Sequence, residues 1–146
     1  MEKKGILERL QDGPVLGAEG YLFELERRGY VKAGPYVPEA VLDHPEAVRQ
    51  LHREFLFAGS EVMVAFTYYA HREKLRLIGR EAELEAMNRQ ALRIAKDVAT
   101  ESGALLAGDV PELDAFELIG FFRGQRLGSG GLLALGLGWP ALLGML

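Results

Sequence analysis

The chain has 146 residues, 49% of them hydrophobic, with 17 Lys+Arg against 21 Asp+Glu for a formal net charge of -4, enough to bury the core of one ordinary domain. It contains no cysteine, which excludes disulfides, zinc-thiolate sites, iron-sulfur clusters and cysteine nucleophiles built from these residues alone. The mild acidity argues against nucleic acid as a partner, because binding phosphates needs clustered Lys and Arg. No apolar run of signal-peptide length follows Met1, so a cytoplasmic enzyme or subunit is expected.

In chain order, residues 5–11 read as a short amphipathic helix with Ile6, Leu7 and Leu10 on one side, stopped by Asp12-Gly13-Pro14. The apolar run 14–18 is bounded by turn residues and reads as a strand, followed by a tight turn at Glu19-Gly20 and a helix over 21–28. Gly29 sits where a helix C-terminus wants glycine, behind the basic pair Arg27-Arg28. Residues 33–38 read as an irregular connection. Asp43-His44-Pro45-Glu46 then offers a capping Asp, a proline for the first turn and a Glu that completes a capping box. The helix it starts runs to Ala58, with Val48, Leu51, Phe55 and Ala58 on one stripe. Residues 61–69 (EVMVAFTYY) are rich in β-branched and aromatic types and read as a second strand. The longest helix spans about 80–102, with Leu84, Met87, Ala91, Ile94 or Ala95, and Val98 in register, and Gly103 closes it. A third apolar strand follows at 104–109. Strands alternating with helices, each strand a continuous apolar run, are the pattern of parallel βα units in a (β/α) barrel or a doubly wound sheet.

The composition breaks near residue 110. Residues 111–146 hold 8 of the 18 glycines, and no charge follows Arg126. The stretch 127–146 (LGSGGLLALGLGWPALLGML) is long enough to cross a bilayer as a helix. Its six glycines and Pro140 make it a poor helix, and it shows no period of 2 or 3.6. An apolar tail without regular structure is expected, and the membrane is an unfavoured partner.

In parallel α/β architectures the functional residues collect at the carboxyl ends of the strands. Three such ends are available: Ala18-Glu19-Gly20, Thr67-Tyr68-Tyr69 and Gly108-Asp109. Glu19 can accept a hydrogen bond from an ammonium or amide while Gly20 lets a ligand approach the backbone; a solvated acidic turn is the alternative. Tyr68 and Tyr69 can offer a π-face to a quaternary ammonium, or simply pack, and strand alternation implies that one of the two faces the site. His44, His52 and His71 are not at metal-ligand spacing. The charges at Arg80, Glu81, Glu83, Glu85, Arg89, Arg93, Lys96 and Asp97 read as a solvated helix face.

The blocks at 3–10 (KKGILERL), 23–34 (FELERRGYVKAG), 44–59 (HPEAVRQLHREFLFAG) and 65–75 (AFTYYAHREKL) resemble, in order, the start of betaine–homocysteine S-methyltransferases within the homocysteine S-methyltransferase family. The resemblance covers about residues 3–110. It implies that residues 1–110 are about three βα units from the N-terminal part of a (β/α)8 TIM-type barrel, followed by a divergent tail at 111–146. It also implies methyl transfer from betaine, or a related sulfonium or folate donor, to the thiol of homocysteine, giving methionine. The family's zinc holds the homocysteine sulfur as a thiolate.

Carried over by position, the family's Gly-Asp-Gly-Gly segment falls on Gly17-Ala18-Glu19-Gly20. The acidic position is Ala18 here, so Glu19 is the candidate to take over its role. The aromatic that packs on the betaine trimethylammonium falls on Tyr69, with Tyr68 beside it. The family's three zinc cysteines come from later strands, so zinc is not expected to bind this chain alone. The expectation is a truncated family member without activity of its own. The alternatives are a half-barrel subunit whose partner chain supplies the cysteines, and a non-enzymatic protein tethered to a membrane by 127–146.

Overall fold

The computed structural model describes residues 4–32 and 38–108 and the backbone of 132–134. Strand β1 (Val62–Ala65) pairs in parallel with β2 (Leu105–Gly108), Val62 opposite Leu105 and Val64 opposite Ala107. Strand β3 (Leu132–Ala134) pairs in parallel with the other edge of β2. On the far side of β1, the segment expected as the first strand is reduced to one parallel bridge, Gly17 to Val62. Ala18 N–H donates to the Val62 carbonyl at 2.9 Å, while the Glu61 and Val62 N–H groups both donate to the Leu16 carbonyl at 2.8 and 3.2 Å. Pro14 has no N–H to continue a ladder and Gly17 has no side chain to pack, so pairing stays short. Neighbours in space are neighbours in sequence, as in consecutive βα units.

Among the described residues, α1 (Ile6–Asp12) precedes the bridged segment, α2 (Tyr21–Arg27), α3 (Ala40–Asp43) and α4 (Pro45–Phe57) lie between that segment and β1, and α5 (Arg72–Arg76) and α6 (Leu84–Ser102) lie between β1 and β2, with a 3-10 turn at Glu81–Glu83 before α6. The two-residue alternation of the strands divides the core. Met63, Ala65 and Leu106 join the main cluster with Val48 and Leu51 of α4 and Met87, Ala91, Leu92, Ile94, Ala95 and Val98 of α6. Val62, Leu105 and Ala107 form a smaller cluster with Ile6, Val15 and Val64 on the opposite face. Both faces of the strands are therefore apolar, which explains their unbroken hydrophobic runs. At about 1.5–3 kcal/mol for each fully buried large aliphatic side chain, the α4/α6 stripe is the main stabilising layer.

Several elements differ from the sequence expectation. Only Ile6 of α1 reaches the core; Leu7 and Leu10 are exposed. Asp43 does not cap α4. It is the last residue of α3, His44 occupies the N-cap position without a side-chain cap, and the Asp43 carboxylate instead accepts two hydrogen bonds from Arg80, at 2.9 and 3.0 Å. A forked guanidinium pairs with both carboxylate oxygens, which a cap does not offer. Strand β1 ends at Ala65 rather than at 69, because the chain turns: Thr67 N–H donates to the Ala65 carbonyl and Ala70 N–H to the Thr67 carbonyl. Helix α5 was not foreseen, and α6 begins at Leu84 rather than 80. The backbone of β3 shows regular pairing inside the tail for which the sequence specified no period. Among the described residues no helix is long and apolar enough to cross a membrane.

Candidate functional site

A pocket of about 350 Å³ opens at the carboxyl ends of β1 and of the bridged segment beside it, lined among others by Glu19, Gly20, Tyr21, Phe66, Tyr68 and Tyr69. All four residues singled out at the first two strand ends, Glu19, Gly20, Tyr68 and Tyr69, thus share one cavity. Asp109, at the third strand end, lies outside the described residues.

At the first end, Gly20 is the N-cap of α2 with φ 81° and ψ 20°. A Cβ there would meet nothing within 4 Å, so the glycine is required by its left-handed backbone. Ala18 is fully buried in the main cluster, whereas Glu19 is exposed beside the pocket. Ala18 therefore faces the core, and the next residue carries the carboxylate.

Behind this turn, Tyr21 forms part of the pocket floor. Its hydroxyl lies 2.9 Å from His52 Nδ1, and its ring packs edge-on against Phe55 and stacks on Phe66, with centroids 5.0 and 5.9 Å away. Burial pushes the Tyr21 phenol up and pulls His52 down to about 4, with Arg49 adding repulsion. The imidazole is consequently neutral at pH 7 and shares a hydrogen bond with the tyrosine hydroxyl through Nδ1.

At the second end, Tyr68 is exposed and Tyr69 half-buried, and their rings meet at 4.7 Å in a T-shape. Both line the pocket. The expectation that only one would do so assumed a strand; here the residues lie in the turn beyond β1, where alternation no longer applies. Lys74 Nζ stands 5.6 Å from the Tyr69 ring centre. The turn rests on α6 through Asn88, whose Nδ2 donates to the Ala70 carbonyl at 2.9 Å. Tyr21, His52 and Asn88 were missed in the sequence. His52 and Asn88 each fall on an apolar helical stripe, next to Leu51 and Met87, and a polar residue on such a stripe is the available signal.

A parallel α/β sheet with an open pocket at its strand ends, acidic on one side and aromatic on the other, is the arrangement in which parallel α/β proteins carry their sites. The sequence model of the homocysteine S-methyltransferase family matches residues 18–127, and the chain belongs to that family. The match passes the composition break near 110. The chain is 52% identical over 119 residues to betaine–homocysteine S-methyltransferase 1 of Sus scrofa, covering 78% of this chain and 43% of that protein. It is 48% identical over 135 residues to the Xenopus tropicalis enzyme of the same name, covering 84% and 34%. The crystal structure of the homocysteine methyltransferase MmuM from Escherichia coli, in its metallated form, superposes with a TM-score of 0.58 at 24% identity, over 71% of this chain and 40% of that one. That likeness establishes a shared fold. The chain spans less than half the length of these relatives.

The zinc implied by the family calls for three cysteine thiolates, and the 146 residues contain none. Among the described residues no three His, Cys, Asp or Glu side chains converge to hold a metal. The residues present do not match that donor set, so no step is routed through zinc.

Proposed function

We propose that this chain supplies the substrate-facing first strand ends of a homocysteine S-methyltransferase, with betaine as methyl donor. The observation that carries the reading is the shared pocket of Glu19 and the Tyr68–Tyr69 pair. Glu19 takes over the acidic role of the buried Ala18 position and accepts the ammonium of homocysteine. The tyrosine faces receive the trimethylammonium of the donor through cation–π attraction, at about 0.5–2 kcal/mol. In the transfer, a new S–C bond forms as the methyl C–N bond breaks, its electron pair staying on nitrogen to leave dimethylglycine and methionine. The donor's positive charge disappears along this path. An aromatic face therefore favours the bound donor more than the transition state, and its contribution is to binding and orientation rather than to the chemical barrier.

The reaction also needs an activated thiolate, and no cysteine in the 146 residues can ligate a metal for that purpose. Binding without turnover is accordingly the expected behaviour of the chain alone. A cytoplasmic setting suits a reaction whose substrate must stay a free thiol.

Calorimetric titration of the full chain with betaine and with homocysteine tests the site. Glu19→Gln is expected to weaken homocysteine by about tenfold, the scale of one charge-assisted hydrogen bond, with betaine little changed. Failure of both ligands to bind, or equal loss of both in this variant, would overturn the assignment. Methionine formed by the purified chain alone would overturn the expected lack of turnover.

A further inference from the structure

Asn88 lies on the apolar stripe of α6, 2% exposed between Met87 and Ala91. A leucine there would suit the stripe better unless the polar group is used. Its Nδ2 donates at 2.9 Å to the carbonyl of Ala70 and at 2.9 Å to that of Leu84, one turn earlier on the helix. Both neighbours are carbonyls, so only the amide nitrogen can face them and the side chain's orientation follows. Ala70 is fully buried and closes the turn that begins at Ala65. Tyr68 and Tyr69 sit within that turn, and where it rests on α6 sets where their rings stand.

We propose that Asn88 is the positioning residue for the aromatic half of the pocket: by tying the Ala70 carbonyl to α6 it holds the Tyr68–Tyr69 pair in place to receive the donor cation, without touching it. This rests on the reading of the pocket as the donor site. One helix side chain thereby couples the main core to the geometry of an exposed ligand-binding turn. A second-strand end built on a four-residue strand has little ladder of its own to do this.

The test compares the full wild-type chain with Asn88→Leu and Asn88→Ser. Leucine keeps the volume and removes both donated bonds. Serine can still bond the carbonyl four residues earlier on its helix but is too short to reach Ala70. Betaine is the probe, homocysteine the control ligand, and hydrogen exchange of 66–71 the ligand-free readout. Both variants are expected to weaken betaine by about tenfold and to speed exchange in 66–71 by about tenfold, the effect of one lost buried hydrogen bond. Homocysteine affinity and exchange of β1 and α6 should stay within about threefold of wild type. A merely structural residue would instead loosen β1, α6 and both ligands together; that result, or unchanged betaine affinity with unchanged turn exchange, overturns the proposal. Should the leucine variant not fold, the serine variant decides. If wild type binds no betaine, the donor-site reading fails by itself, and exchange in 66–71 alone decides whether Asn88 holds the tyrosine pair.

Discussion

The two halves of the pocket are held by different means. The Glu19-Gly20 half is set by a left-handed glycine that turns the chain into α2, with the next residue, Tyr21, meeting His52, 31 residues further along the chain. The Tyr68–Tyr69 half lies in a turn closed by Thr67 N–H to the Ala65 carbonyl and Ala70 N–H to the Thr67 carbonyl, and that turn meets α6 through Asn88, 18 residues further along the chain. A site split in this way has one half whose failure is a failure of folding and another that can be moved while the fold stands.

The largest expected effect breaks the first half. His52 is buried neutral with its pKa lowered to about 4, so the unfolded chain binds the extra proton first as the pH falls. The stability it contributes is full above pH 6.5 and is lost between 6.5 and about 4, amounting to about 3 kcal/mol. Glu39, whose carboxyl is raised by burial, tilts weakly the other way. Denaturant midpoints across this window should fall steeply for wild type and stay flatter for His52→Gln. Identical slopes in the two would exclude His52 as the source.

Tyr69→Ala comes next and acts on the second half alone. Loss of the cation–π face should weaken betaine by about tenfold, with the unfolding midpoint close to wild type because the ring is only half-buried. A drop in stability that accompanied the lost affinity would show that this half is not separable from the fold. Gly20→Ala should destabilise by about 1–2 kcal/mol through its positive φ, read from chemical denaturation. Space is not the obstacle there, so a neutral result would mean that the turn can relax. The smallest effect is at Lys74, whose ammonium already stands over Tyr69. Lys74→Met removes a competing cation and should tighten betaine by about two- to threefold at low salt. Weaker binding would show that Lys74 assists the donor instead.

Much of the fold was legible before any coordinates. The α6 stripe follows from spacings of 3 and 4 residues, and Met87, Ala91, Ile94, Ala95 and Val98 are all buried. The apolar runs at 61–69 and 104–109 do contain neighbouring parallel strands, because strands covered on both faces leave that mark in the sequence. The site was half legible: Glu19, Gly20, Tyr68 and Tyr69 stand at strand ends and do share a cavity. What escaped were the partnerships across long sequence separations. Asp43 looked like a helix cap and pairs with Arg80, 37 residues away. His52 and Asn88 looked like interruptions of apolar stripes, and each makes a hydrogen bond to a residue lining the pocket or to the turn that carries one.

By itself, the sequence determined the periodicity of the long helices, the apolar runs that hold β1 and β2, the family and the residue types at the strand ends, since these depend on neighbours within a few positions or on position along the chain. Only the tertiary structure decided that the second strand stops at Ala65, that both tyrosines face the pocket, and that a histidine and an asparagine on two different helices hold its halves. Those outcomes follow from which buried polar group finds which partner. That choice is settled when the helices pack, because the groups that pair lie 31 and 18 residues apart and no local interaction brings them together.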